Sequence, residues 1–499
     1  MVERGTMAVV VAVLAVSVLL VVLARLLGDQ WTGRDVSAPQ LETRTPPDVI
    51  DTRLTAYLQG YQQGQLICPG ADLSGRVSKV IIDPAAATVG APGDCTLADM
   101  RLANPGTEFY AYVDVAAMRS VNEHQGDFQS TCADPAHDGA EYTIESENPL
   151  VASDAQGRAV YPQYEFLILS DLSAGYAETC VAMFHRMLSA VSAPGISEGA
   201  EPTRFDGIFL DDVSMTPGHG QNYSDIGPWG PWESDAAYGR AMIDTVVLID
   251  RDLDRAMGRD VPIAVNLGMD PQNPEQVRLA VELARTGVVD EAVREFTVAT
   301  GTGAPLNEDE MLSLARVHRN LAANGMPVTQ HDYSVPLRDA PLALYEQGRE
   351  VPPEPRCLEM SNERVDQIRH AAALRRIHDH RMLLGHTLIA RTEGSDSIAA
   401  AISQAEPFCQ TTAASTRPMA EDVTEASVNL DDPEVEELTR ALADEVHPLG
   451  ELETSTDIWH QEMSNGQVVL LNTHAEAQRV DLHGRNYEVP GRSALIEGP

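Results

Sequence analysis

The chain has 499 residues, 43% of them hydrophobic, which is enough for one large domain and a smaller companion. Its 75 acidic residues face 35 basic ones for a formal net charge of −40, and Lys79 is the sole lysine. So acidic a surface repels phosphate and anionic headgroups, which excludes nucleic acid as a partner.

The first element is apolar. From Met7 to Ala24 every residue is apolar or small, and the run continues past Arg25 to Leu27. Eighteen helical residues rise about 27 Å, close to the hydrocarbon thickness of a bilayer. Residues 1–27 are therefore expected to be a membrane anchor, with the lipid bilayer as its partner. A cleaved signal peptide is the competing reading, but its apolar core is shorter and precedes a small-residue site that is poor here. Residues 28–50 are polar and proline-bearing without periodicity, as in a stalk.

Six cysteines follow: Cys68, Cys95, Cys132, Cys180, Cys357 and Cys409. None forms a CxxC or a Cys/His cluster with zinc spacing. An even count behind an export segment favours disulfides and places the body outside the cytosol. The working scheme pairs neighbours, Cys68–Cys95, Cys132–Cys180 and Cys357–Cys409; buried free thiols are the alternative.

From residue 51 to 395 short β-rich runs alternate with longer helical patterns. The runs are 54–61, 77–83 (VSKVIID), 109–115 (FYAYVDV), 207–213 (GIFLDDV), 262–267 (PIAVNL), 289–298, 327–333 (PVTQHDY) and 387–391. Amphipathic helices are predicted over 235–257, 274–285, 307–323 and 362–384, the third capped by Asn307 with Glu308, Asp309 and Glu310 in its first turn. This alternation predicts a parallel sheet, and eight strands predict an α/β fold of the (β/α)8 TIM-barrel type. An open doubly wound sheet is the alternative, though no glycine-rich phosphate loop follows any strand, and no cofactor is expected. Several runs end in polar residues: Asp83, Asp114, Asp211 and Asp212, Asn266, Glu295, then His331, Asp332 and Tyr333, then Arg391. Carboxylates, amide, imidazole and guanidinium at the C-terminal rim are what a polar-substrate pocket requires. With one imidazole in that set, a metal centre has little support.

The segment Phe205-Asp206-Gly207-Ile208-Phe209-Leu210-Asp211-Asp212-Val213 resembles the fourth-strand motif of barrel glycoside hydrolases. It is most similar to uncharacterised families grouped near the endo-α-1,4-polygalactosaminidases. The likeness extends to the third run, to 169–176 (LSDLSAGY), to a sixth strand ending in an acid and to the chain end. It implies that Asp211 is a catalytic carboxylate and that Glu295 is its partner, with Glu291 the weaker candidate for that second role. Two acids are needed because the glycosidic oxygen must be protonated while a second carboxylate attacks the anomeric carbon or activates water. Asp212, by strand alternation, is expected to face away from Asp211's side or to cap the following turn.

The loop 217–232 carries Tyr223, Trp229 and Trp232 amid glycine and proline. Exposed rings there would stack on sugar faces; alternatively the tryptophans pin the loop to the rim. Asp114, Asp212, Asn266, Glu291, His331, Asp332, Tyr333 and Arg391 complete the expected substrate-binding set. Residues 396–433 are irregular. Residues 434–499 open with a helix over 434–446 and then alternate in short strands (468–472, 478–482, 487–489, 493–496), which predicts a small antiparallel, sandwich-like β-domain. The resulting expectation is a membrane-anchored extracytoplasmic glycoside hydrolase acting on an oligo- or polysaccharide. A carbohydrate-binding barrel without catalysis is the alternative.

Overall fold

The computed structural model describes residues 54–58, 67–69, 77–84, 96–119, 132, 150–153, 167–189, 204–217, 232–298, 306–331, 380–392, 399–402, 433–444, 446–454, 458–482 and 484–498. Among them no helix is long and apolar enough to cross a membrane. The expected anchor over residues 1–27 and stalk over 28–50 lie outside the described residues.

The alternating runs fold into a closed parallel barrel. Its strands in chain order are β1 (Leu54–Leu58), β2 (Lys79–Ile82), β3 (Glu108–Asp114), β6 (Gly207–Ser214), β7 (Ile263–Gly268), β8 (Glu291–Glu295), β9 (Val328–His331) and β10 (Ala399–Ile402). Each pairs with the next in parallel. Strand β10 pairs with β9 at Ala401–His331 and with β1 at Leu54 and Ala56, which closes the ring. A short hairpin, β4 (Ala117–Arg119) with β5 (Leu167–Leu169), stands between the third and fourth barrel strands.

The period-2 alternation of a strand sorts each of these sequences between two environments. Ile81, Tyr110, Tyr112, Phe209, Ala264 and Val293 form a separate buried cluster inside the barrel. The intervening residues, such as Val80, Phe109, Ala111, Ile208, Leu210 and Val265, join the large core beneath the helices. That outer layer is built by helices Ala174–Leu188, Asp235–Met257, Pro274–Thr286 and Glu308–Ala323. Their ends follow from local chemistry. Asn307 caps Glu308–Ala323 in a reciprocal box with Glu310, and Gly258 and Gly287 end their helices in the left-handed conformation.

One strand was misplaced by the sequence reading. Residues 380–390 are helical, so 387–391 is the end of a helix, and the eighth strand is Ala399–Ile402. The barrel therefore runs beyond the expected boundary at 395. Most of the expected helix over 362–384 lies outside the described residues.

Past helix Pro433–Ala443 the chain forms an antiparallel three-stranded sheet of β11 (Trp459–Glu462), β12 (Val468–Asn472) and β15 (Ser493–Glu497). A hairpin of β13 (Gln478–Leu482) and β14 (Arg485–Val489) accompanies it. This sheet is fixed to the barrel's helices: Trp459 Nε1 donates to Glu308 at 2.6 Å, and Arg319 donates to Gln461 at 3.0 Å. Arg391 belongs to the same attachment. It is buried and donates to the carbonyl of Leu442 at 2.8 Å, so it ties the helical segment to Pro433–Ala443 rather than serving the barrel mouth.

The expected Cys132–Cys180 disulfide is present. Cys68 is also disulfide-bonded; Cys95, Cys357 and Cys409 lie outside the described residues.

Two buried histidines cross-link the outer layer to the barrel. His386 contacts Gln330 of β9 at 2.8 Å and the Met311 carbonyl at 2.9 Å, and Gln330 also meets His318 at 3.1 Å. Burial, with nearby Arg319 adding to it, pushes His386 down from 6.5 to about 4, and burial pushes His318 well down too. A group whose folded pKa is depressed is stabilising above its unfolded value, and that contribution is lost as pH falls toward the folded value. The expected result is a loss of about 3 kcal/mol through His386 as pH drops from about 6.5 to about 4. Denaturant titrations across that window should show a smaller drop for His386→Gln.

Candidate functional site

The motif around residue 207 divides into three jobs. Asp206 is a stitch: its carboxylate accepts the Phe109 backbone N–H at 2.8 Å and the Arg101 guanidinium at 2.6 Å, fixing the start of β6 against β3. Gly207 is a clearance. A Cβ there would lie 2.6 Å from the Pro262 carbonyl and 2.7 Å from the Tyr110 ring, so only glycine lets that tyrosine pack inside the barrel. Asp211, the next inward position after Gly207 and Phe209, carries the motif to the C-terminal mouth.

Asp211 is 5% exposed and held by three donors. Asn266 of β7 donates to Oδ1 at 2.7 Å, the Asp212 backbone N–H donates to the same oxygen at 2.9 Å, and the Tyr112 hydroxyl of β3 donates to Oδ2. Tyr112 was not among the expected site residues. The signal was available, because Tyr110, Tyr112 and Asp114 share one face of β3. The ring of Tyr112 also stacks on Phe209, centroids 5.9 Å apart, so the hydroxyl is carried by a rigid support.

Burial raises the Asp211 pKa well above the carboxylate range, and the charges of Asp212 and Glu295 raise it further, while the bonds from Tyr112 and Asn266 oppose the rise. Glu295 ends β8, so it sits at the same mouth two strands away and is half-buried. Two acids that sense each other do not ionise independently: the first charge makes the second harder to form. His331, at the end of β9, is fully buried beside Glu295 in register.

The structure does not bring every expected residue to this mouth. Glu291 starts β8, four residues before Glu295, or about 13 Å along the strand. There it accepts hydrogen bonds from Lys79 and Thr329, and Lys79 lies over the Tyr110 ring at 4.5 Å. Glu291 is therefore part of a buried ion pair at the opposite end of the barrel, not a second acid or a substrate contact. Asp114 does end β3 level with Asp211, but it is buried there and its Oδ1 accepts the N–H groups of Ala116 and Ala117 at 2.9 and 3.1 Å, which shapes the turn into β4. Trp232 is 8% exposed and meets Tyr238 edge-on at 4.9 Å, so it packs the loop end onto the core and is no open stacking face. Tyr223, Trp229, Asp332 and Tyr333 lie outside the described residues. Among those described, no group of three or more His, Cys, Asp or Glu side chains could hold a metal ion.

Fold and site together define a closed parallel barrel with a buried, donor-clamped carboxylate and a second acid at its C-terminal mouth. No family model matches the chain. No curated protein matches it. Solved structures do resemble it. A family 39 glycoside hydrolase from Bacteroides cellulosilyticus WH2 aligns at 9% identity and TM-score 0.40, covering 91% of this chain and 83% of that one. An alpha-N-acetylgalactosaminidase from Bifidobacterium bifidum aligns at 11% and 0.34, covering 84% of this chain and 50% of its own, so the present chain spans half the length of that relative. Xylanase B from Clostridium stercorarium F9 aligns at 13% and 0.33, covering 70% and 84%. Likeness at these scores says nothing of activity.

Proposed function

We propose that this protein is a glycoside hydrolase whose reaction is carried by Asp211 and Glu295. The supporting observation is the pair itself: one acid, buried and clamped by Tyr112, Asn266 and the Asp212 N–H, senses a second, half-buried acid across the mouth of a closed barrel. Burial and its two acidic neighbours favour the protonated form of Asp211, which suits it to protonate the leaving oxygen. Glu295, open to solvent on one side, is suited to attack the anomeric carbon or to activate water. The same fourth- and sixth-strand positions are those the sequence motif assigns. Tyr223, Trp229, Asp332 and Tyr333 are proposed to complete the carbohydrate contacts. The test is a screen of the purified protein against a panel of polysaccharides and aryl glycosides, read as new reducing ends or released aryl alcohol. Turnover that is lost in both Asp211→Asn and Glu295→Gln supports the reading; turnover that survives in both overturns it.

The proposed setting is the outer face of a membrane, with residues 7–27 as the anchor. The apolar run and the Cys132–Cys180 disulfide support it. Alkylation of denatured, unreduced protein from the native source should label neither Cys132 nor Cys180; labelling of both would place the body in a reducing compartment.

A further inference from the structure

Strand β6 carries one residue more than its neighbour between two points of register. Leu210 is level with Val265 and Val213 with Leu267, so three steps on β6 match two on β7. Such a bulge re-aims side chains beside it. Within it, Asp212 has φ 58°, in the left-handed region that residues with a side chain seldom adopt. This turn directs the Asp212 N–H onto Oδ1 of Asp211 at 2.9 Å. Strand β8 ends in the same manner. Phe296 follows Glu295 with φ 58°, and the Thr297 hydroxyl closes the corner on the Arg294 carbonyl at 3.0 Å. A phenylalanine has no polar group to support that conformation, so its surroundings impose it. Only four non-glycine residues among those described have positive φ, and two of them directly follow the two candidate acids.

We infer that Asp212 and Phe296 are positioning residues, each aiming the acid before it through its own left-handed backbone rather than through its side chain. The inference rests on the reading of Asp211 and Glu295 as the catalytic pair. The bulge also suspends the two-residue period of β6 at Asp212.

Glycine and alanine separate conformation from chemistry at these positions, since both remove the native side chain and only alanine resists positive φ. The experiment measures kcat and KM for Asp212→Gly, Asp212→Asn, Asp212→Ala, Phe296→Gly and Phe296→Ala on the 4-nitrophenyl glycoside or polysaccharide that the wild type hydrolyses fastest. Asp211→Asn is the control. At each position the glycine variant is expected to exceed the alanine variant in kcat by roughly five- to thirtyfold, the factor that disfavoured left-handed geometry implies, with KM little changed. Asp212→Asn should group with Asp212→Gly. All three Asp212 variants remove the same charge beside Asp211, whose other close neighbours are Glu295, Tyr112 and Asn266. A glycine–alanine ratio that stays constant across the pH profile is therefore conformational. Equal kcat for glycine and alanine, or a fall of Asp212→Asn and Asp212→Gly to the level of Asp211→Asn, overturns the inference. If an alanine variant does not fold, that last comparison decides. Wild-type turnover in Asp211→Asn would instead sink the functional reading beneath it.

Discussion

Asp211→Asn is expected to lower kcat by at least about a hundredfold while leaving the protein as stable as the wild type or more so. The first half follows from the contribution of a positioned acid–base or nucleophilic carboxyl, typically 10²–10⁴ in rate. The second follows from the site. An asparagine keeps the shape: its oxygen accepts from Asn266 and the Asp212 N–H as Oδ1 does now, and its NH2 can donate to the Tyr112 hydroxyl. Asp211 itself is held above the ordinary carboxylate pKa, by burial first and by Asp212 and Glu295 next. A carboxyl raised in the folded state favours folding only when protonated, so its ionisation opposes folding as pH rises above about 4. Removing it relieves that opposition at neutral pH. Lost turnover with a raised melting temperature is the signature of an acid retained for function. Glu295→Gln should lose turnover on the same scale, with a smaller change in stability because the side chain is half-exposed. A melting temperature lowered by several degrees in Asp211→Asn would show that the carboxylate is structural.

The barrel was legible because most of its strands announce themselves as short β-branched and aromatic runs separated by capped helices. Helix Asp235–Met257 matches its sequence reading at both ends, since Ser234 caps its start and Gly258 stops it. The eighth strand was hidden for a physical reason. Its sequence, AAAI, has almost no β-forming character, whereas the preceding helical stretch ends in TLIAR, which looks like a strand. Partners on both sides, β9 and β1, make a strand of residues that alone would favour a helix. Asp211 and Glu295 were legible as candidates because both stand on inward positions toward the C-terminal ends of their strands. Glu291 shares the inward face of β8 with Glu295, but parity tells a residue's face and not which end of the barrel it occupies. The bulge at Asp212 was invisible, since an inserted strand position leaves no mark on the alternation of side chains read from sequence.

Glu291 supplies the second large effect. Glu291→Gln is expected to destabilise the fold by about 3–5 kcal/mol, the usual consequence of removing one partner of a buried ion pair. Lys79 and Glu291 have side chains only 6% exposed, and they bridge β2 and β8 across the barrel interior. Burial alone would pull the Lys79 pKa down; the Glu291 carboxylate, with Tyr110 and Glu108, more than reverses this and holds it above its ordinary value. The sign follows. A raised lysine contributes stability that is complete below about pH 10 and is lost only as pH climbs through the folded value. In Glu291→Gln the ammonium keeps its burial and the Tyr110 ring but loses its counter-charge, and Thr329 loses its ionised acceptor. Lys79→Met strands the carboxylate instead and should lose a similar amount. The double variant Lys79→Met with Glu291→Leu leaves no buried charge and should recover most of either loss, because apolar groups of similar volume often replace a buried pair at little cost. Denaturant unfolding of the wild type, Lys79→Met, Glu291→Leu and the double variant closes the cycle, and a coupling energy near zero would mean that the two groups do not act as a pair. Turnover per folded molecule should stay within a fewfold of wild type throughout, since the pair lies about 13 Å along β8 from Glu295. A hundredfold fall in turnover in Glu291→Gln, without loss of fold, would overturn the assignment of the second acid to Glu295.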